Sequence, residues 1–532
     1  MNYVWYHFHT DLSNCVTNVD SITKYKQYVE LAKQLNMKAM AFSEHGSCME
    51  WYHKKQAIEN AGMLYIHGEE FYVTETLDEK VRDNYHLVML ARNYDGFHEI
   101  NRLVSKSFDR SNNSFYYVPR ISIDDVLSTS DNVIITSACL GGPIAKGNEE
   151  VQKKFIDFFT KNKDRCFFEI QHHNVQAQKD YNRRLVQLSK ETGVRLIAGT
   201  DTHALNAEHL AGRKKLQEAK DVHFADEDEW DLTAKSYEEL CEAYEKQNAI
   251  PSSVWHEAIE NTNLLPELVE PFKISTEYKY PKLYENGEKV LKEKINQGFV
   301  ERGINKKENK KEYIDRIRHE MEAIEHNGAS DFFLLEEDYK RAMREKGINC
   351  GPSRGSVSGS EICYLLHITD VDSIKYNLNF DRFMNVERVS LADVDSDWSP
   401  DERDQVIKYL YTKEGLYCAD IVTFNTIKLK GAFTDIARAY GLDLREVRDV
   451  THDLEGNEEK YRKKYPEIFK YVDLVNGVIV SMGNHPSACI VSPFSLEEEV
   501  GLVSTSTDEY RISQLNMKEI DSLNYVKLDV LR

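Results

Sequence analysis

Over roughly the first 260 residues, short apolar runs alternate with longer stretches of helical periodicity. The runs at 38–46 (KAMAFSEHG), 64–73 (LYIHGEEFYV), 86–93 (HLVMLARN), 132–142 (NVIITSACLGG), 166–174 (CFFEIQHHN) and 194–204 (VRLIAGTDTHA) predict buried strands. Amphipathic segments such as 19–35 (VDSITKYKQYVELAKQL) predict the helices between them. Strand–helix alternation of this kind implies a parallel sheet, open or closed into a barrel. Beyond about residue 270 the pattern changes. Helices are predicted at 281–303 and 312–328, then a short loop, then a Gly/Ser-rich stretch running into an apolar segment at 351–366 (GPSRGSVSGSEICYLL).

The polar residues that interrupt this pattern carry the chemistry. The buried runs end in metal-capable side chains: His45, Glu70, Cys139, His173, then Asp201 and His203. In parallel barrels the C-terminal strand ends form the active site, so loops distant in sequence converge there. His7 and His9, two residues apart, share a strand face. His86 departs from the pattern, because it precedes its apolar run. Singly, each histidine reads as a hydrogen-bonded core residue; a ligand at so many strand ends favours a metal site.

A second cluster lies in LADVDSDWSP (391–400), where Asp393, Asp395 and Asp397 alternate. In a strand they would point the same way, about 7 Å apart from one to the next. Like charges so placed repel, so the alternatives are an exposed acidic edge and a cation site. Some 40 residues upstream, the loop around Arg354 offers glycine-permitted close backbone approach and N–H groups opening a helix, an arrangement suited to anions. It is not a Walker A loop, because no Gly-Lys-Ser/Thr follows. A phosphate-binding loop and a D-x-D strand together supply what metal-assisted phosphoryl or nucleotidyl transfer requires.

Composition narrows the partners. The net charge of −21 argues against a broad, nonspecific grip on nucleic acid. The basic runs at 306–318 and 460–470 read equally as solvated helix faces or as local phosphate contacts. Nine scattered cysteines without a C-x-x-C pair suggest neither a disulfide framework nor a zinc ribbon. No apolar run reaches bilayer-spanning length, and the start lacks the basic end and long apolar stretch of a signal peptide. A cytoplasmic location is the expectation.

The segments GPSRGSVSGS, FDRFMNVERVSLADVDSDWSPDERDQVI, IVTFNTIKLKGAFTDIARAYG, HPSACIVSP and YVKLDVLR occur in the order seen in family C DNA polymerases, the alpha subunits of bacterial DNA polymerase III and their phage-encoded relatives. The chain resembles their amino-terminal portion. The family pattern around the carboxylates, N-P-E-R-V-S-x-P-D-x-D-x-D-F, reads NVERVSLADVDSDW here, with Val386 and Ala392 replacing the prolines and Trp398 the phenylalanine. By this resemblance Asp395 and Asp397 hold the metals, Asp393 is structural, and Asp529 is the third catalytic carboxylate. Nucleotide contacts map onto Arg354, Gly355, Ser356, Arg388, Lys430 and Lys527.

The amino-terminal half resembles the family's PHP (polymerase and histidinol phosphatase) domain, a distorted barrel able to bind three metals. Its ligand motifs map onto His7, His9, His45, Glu70, His86, Cys139, Asp201 and His203, with Asp20 as the candidate for an aspartate lacking a clean match. Glu44, where the family has an aspartate, is not counted as a ligand. The implied fold is α/β: a PHP-type distorted (β/α) barrel at 1–268, then a DNA polymerase beta-like nucleotidyltransferase palm at 269–432 and 484–532, with a helical thumb inserted at 433–483. The implied cofactors are magnesium at the polymerase site and zinc, manganese or iron at the PHP site. The implied activity is DNA-directed DNA synthesis from deoxynucleotides on a primed template, by two-metal catalysis, with phosphoester hydrolysis (a 3′–5′ exonuclease) at the PHP site. A second polypeptide is expected to supply fingers and downstream domains. Two alternatives remain: a PHP nuclease or phosphatase with an inactive polymerase half, and a non-enzymatic scaffold.

Overall fold

The structure is a computed structural model that describes residues 3–224, 227, 229–386, 394–506 and 509–531. It divides into two compact units. The first comprises residues 1–273, 423–483 and 497–507, and the second 274–422, 484–496 and 508–532.

The first unit carries strands β1 (Ala39–Ala41), β2 (Leu64–Ile66), β3 (Gly68–Thr74), β4 (Tyr85–Ala91), β5 (Phe115–Tyr116), β6 (Val118–Ser122), β7 (Val133–Thr136), β8 (Cys166–Ile170) and β9 (Leu196–Ala198). Seven of them form a sheet in the order β5-β6-β3-β4-β7-β8-β9, while β1 pairs in parallel with β2. The amino-terminal segment closes the ring. Trp5 bridges to Met40, Phe8 to Thr202 and His45 to Glu70. A distorted barrel results, and its core draws Tyr6, Ala41, Ile66, Val88, Ile134 and Phe167 from successive segments of the ring.

Two predicted elements differ in detail. The run at 64–73 is two strands, and the helix foreseen at 19–35 begins only at Tyr25. Residues 20–23 instead form a buried loop tied by Asn14, whose Oδ1 accepts from the Asp20 and Ser21 amides at 2.6 and 3.1 Å. The sheet is also mixed rather than parallel: β4 runs antiparallel to both β3 and β7.

Residues 423–483 belong to this unit. Their helices Leu429–Ala439, Leu444–Asp453, Glu458–Lys464 and Pro466–Val475 bury Phe433, Ile436, Val472 and Val475 in one cluster with Val19, Ile22 and Leu216. The short strand β13 (Leu502–Val503) lies in the last segment of the same unit.

The second unit is built around β10 (Ser396–Asp397), β11 (Tyr417–Thr426), β12 (Ile479–Ser492), β14 (Ile512–Asn516) and β15 (Val526–Leu531), in the order β10-β15-β12-β11-β14. β15 is parallel to β10 and antiparallel to β12, so it is paired along both edges. Helices Gly287–Glu301 and Lys310–His326 match the predicted periodicity. Helix Ser330–Glu345 stands where a short loop was expected. Residues 330 and 332–340 are all buried, and buried pairs such as Glu336 and Lys340 (3.1 Å) offset the charges this helix takes into the core.

Candidate functional site

In the first unit, the ring brings the predicted ligands together. His7 and His9 leave the amino-terminal segment, His45 follows β1, Glu70 lies in β3, and Asp201 and His203 follow β9. His86 opens β4. Because β4 is antiparallel, its beginning lies at the barrel end where the parallel strands finish, which explains why this histidine precedes its run.

Three overlapping groups have ligand atoms mutually within 4.8 Å: His9, Asp20, His45 and His203; His7, His9, Glu70 and Asp201; and His45, Glu70 and His86. Glu70 lies 3.2 Å from His9, 3.1 Å from His45 and 3.1 Å from His86, and Asp201 lies 3.3 Å from His7 and 3.1 Å from His203. Asp20 stands 3.1 Å from His203 and 3.5 Å from His45, so the loop places it in the cluster. Cys139 Sγ is 3.9 Å from His86 Nδ1 but outside these three groups. His173, a strand-end candidate, stacks on Trp230 at 4.8 Å and joins none of them.

The donor set fits divalent cations. Nε2 of His7 and His9, Nδ1 of His45 and Oε2 of Glu70 are buried without hydrogen-bond partners, yet each faces other ligand atoms of the cluster. Such groups are costly to bury unless a cation is bound among them. Mixed nitrogen and carboxylate donors suit zinc, manganese or iron better than magnesium. Burial would push Asp20, Glu70 and Asp201 upward, but the facing histidines hold all three well below the usual carboxylate range. Burial would lower His203, but Asp20 and Asp201 outweigh it and raise its pKa to about 10. A metal ligated by His203 must therefore displace a proton.

Glu169 was missed in the sequence. It accepts from His7 Nδ1 at 2.7 Å, Thr136 Oγ1 at 2.7 Å and Gln171 Nε2 at 2.8 Å, fixing the His7 ring with Nε2 toward the cluster. The only signal was a glutamate inside the apolar run CFFEIQ. Above the cluster, a cavity of about 470 Å³ is lined by His45, His86, Cys139, Asp201, His203 and Trp230 among others.

In the second unit, burial alternates from Val394 to Trp398, with Asp395 and Asp397 turned outward and Ser396 buried. Ser396 registers with buried Val530, so Asp529 shares the outward face with both aspartates. Ser396 Oγ lies 3.1 Å from Tyr339 Oη, which anchors the strand from beneath. Arg354 Nη1 donates to Asp397 at 3.0 Å, and its Nε lies 3.7 Å from Asp395. Lys527 stands 3.4 Å from Asp529. The loop approaches closely: a Cβ on Gly351 would meet that of Asp397 at 3.3 Å, and Gly355 turns at φ +68°.

The helix opening after this loop does not offer a free anion site. Buried Glu320 accepts from the amides of Glu361 and Ile362 at 2.8 and 2.9 Å and from Ser360 Oγ at 2.8 Å. Burial raises Glu320 to about 7 despite these donors. The other predicted contacts of this loop lie at its turn, where Gly355 and Ser356 follow Arg354, whose guanidinium pairs with Asp397. Asp393 and Arg388 lie outside the described residues. Lys430 belongs to the first unit, where it pairs with Glu455 at 3.2 Å. In the 460–470 run, Lys460, Arg462 and Lys464 pair with Asp453, Asp473 and Glu446, which favours the solvated-face reading there.

Residues 6–173 match the PHP domain family, and residues 289–532 match the bacterial DNA polymerase III alpha NTPase domain. The chain is 30% identical to the DNA polymerase III subunit alpha of Borreliella burgdorferi, over 99% of this chain and 48% of that protein. It is likewise 30% identical to that of Aquifex aeolicus, over 100% of this chain and 51% of the relative. The chain thus spans about half the length of these curated relatives. A solved amidohydrolase from Chromobacterium violaceum is similar at a TM-score of 0.26 and 14% identity, covering 39% of this chain and 89% of that one.

Proposed function

We propose that this chain, which belongs to the bacterial DNA polymerase III alpha family, carries a nucleotidyl-transfer centre for DNA synthesis and a separate PHP centre for phosphoester hydrolysis. The observation that carries the first reading is the outward face shared by Asp395, Asp397 and Asp529, with Arg354 and Lys527 beside them. Divalent ions, magnesium in this reading, would be held there by Asp395 and Asp397 and would neutralise charge on the attacking and leaving oxygens. Arg354 and Lys527 supply fixed positive charge for a triphosphate, and the Gly355–Ser356 turn supplies close backbone approach. Arg388 and Lys430 remain proposed nucleotide contacts by family resemblance.

At the PHP centre, His7, His9, Asp20, His45, Glu70, His86, Asp201 and His203 would hold two or three transition-metal ions, with Cys139 at the edge of the set. When bound, such ions activate water and polarise a phosphoester. Glu169 keeps His7 in the ligating tautomer, and the cavity above admits the ester. The substrates on this reading are primed DNA, deoxynucleoside triphosphates and, at the PHP centre, a DNA end. A further polypeptide that completes the family architecture belongs to the same proposal.

Primer extension tests it, using this chain alone and mixed with a polypeptide carrying the carboxy-terminal half of a relative. Extension that requires Asp395 and Asp397 supports the reading. Extension that survives Asp395→Asn/Asp397→Asn, or none in either arm, overturns it. Hydrolysis of a 3′-labelled oligonucleotide that is lost in Asp201→Ala then identifies a PHP esterase beside an inactive polymerase half.

A further inference from the structure

Arg354 and a divalent ion lay claim to the same atoms. The guanidinium donates to Asp397 Oδ1 at 3.0 Å and lies 3.7 Å from Asp395 Oδ2, so one cation already spans the two carboxylates that would hold the ions. These contacts are open to exchange. The Arg354 side chain is 53% exposed, and those of Asp395 and Asp397 are 35% and 42% exposed, so no packing locks the pair. Its backbone, by contrast, lies in a loop tied to the strand. Arg354 is extended (φ −142°, ψ 141°) and is followed directly by Gly355 at φ +68°. The Gly351 amide donates to Asp397 O at 2.9 Å, pinning the start of the loop to β10. The exposed side chain can change partner without moving that backbone.

The geometry points to Arg354 as a counter-ion switch, resting on Asp395 and Asp397 and exchanging them for nucleotide phosphate when a divalent ion takes the carboxylates. This rests on the nucleotidyl-transfer reading above and adds to it a coupling between the two ligands. An ion arriving alone competes with the guanidinium, and a triphosphate arriving alone must draw the guanidinium off two carboxylates. Arriving together, each removes the other's cost, so their binding is cooperative. Lys527, 3.4 Å from Asp529, holds the third carboxylate in the same way. The pair of cations also offsets part of the repulsion among three like charges on one sheet face.

The test is Mn²⁺ binding to the full chain, followed by electron paramagnetic resonance. Ions at the carboxylate pair are counted as the difference between the native chain and Asp395→Asn/Asp397→Asn, which cancels ions bound elsewhere. Without nucleotide, Arg354→Gln should bind that Mn²⁺ about fivefold more tightly than the native chain, the scale set by losing one exposed arginine–carboxylate contact. Arg354→Lys keeps the charge and should stay close to native. Adding the non-hydrolysable α,β-imido analogue of deoxyadenosine triphosphate should tighten Mn²⁺ more in the native chain than in Arg354→Gln. Unchanged or weaker Mn²⁺ affinity in Arg354→Gln, with the pair still holding its ion, overturns the switch alone. Equal Mn²⁺ stoichiometry in the native chain and the double asparagine variant overturns the metal reading of the pair, and the switch with it.

Discussion

Asp395 and Asp397 are equivalent by charge and separated from Asp393 only by position. On the nucleotidyl-transfer proposal, Asp395→Asn or Asp397→Asn should lower the rate of an extension-competent assembly by about a hundredfold or more, because each would lose charge stabilisation in the transition state. Asp393→Asn should be mild by the family pattern, and steady-state primer extension on the three variants decides the register. Glu320 makes a different prediction at the same scale. Its folded pKa of about 7 exceeds the ordinary glutamate value of 4.5, so its contribution to stability is full below pH 4.5 and is lost as pH rises through 7. Thermal melts from pH 5 to 8 should fall in the native chain and fall less in Glu320→Gln. The difference should approach about 3 kcal/mol for a shift of that size. Parallel curves for the two proteins would show that the Glu320 carboxyl is not the titrating group.

Among the elements, the loop 10–23 does two jobs. It presents Asp20 to His45 and His203, and it holds Ile479 in the first unit's segment 423–483, because Asn14 Nδ2 donates to Ile479 O at 2.7 Å while Asp11 accepts from Ile479 N at 3.0 Å. Asn14 also donates to Ser21 O and accepts from Asp20 N. Asn14→Ala strands these buried groups and should cost about 2–4 kcal/mol. It should also lower metal content by one ion, read by elemental analysis, since it releases the loop behind Asp20. Full metal content together with a lowered melting temperature would separate the two jobs. The antiparallel β4 gives the same lesson about elements: reversing one strand carried His86 to the shared end of the barrel, against the order its sequence suggested.

For the whole molecule, the two units should respond differently to metal removal. Ions that bind only the folded state stabilise it by about 2.7 kcal/mol at a hundredfold excess over Kd. Calorimetry after chelation should therefore lower the transition of the first unit and leave that of the second in place. Elemental analysis of protein never exposed to chelator should find at least two transition-metal ions per chain. His9→Ala or Asp201→Ala should remove metal with little change in the far-ultraviolet circular dichroism. Less than half an equivalent in the native chain would dismiss the PHP centre as a metal site.

The sequence by itself determined most of the strand positions in the barrel and nearly all of the metal-capable side chains that gather at one end of it, because buried strands are continuous apolar runs and a polar group in or beside one stands out. It determined the aspartate alternation as well, since a period of two needs no tertiary information. The tertiary structure alone decided which groups those side chains join. The direction of β4, the arrival of Asp20 on a loop, the clamp of Glu169 on His7 and the docking of β15 between β10 and β12 are all long-range pairings. It also placed buried Glu320 on the amides that the Gly/Ser-rich loop had promised to an anion. Periodicity reports which way a residue faces within its own element. Which partner it meets depends on contacts from tens of residues to nearly two hundred away, and those are settled only when the ring closes and the sheet assembles.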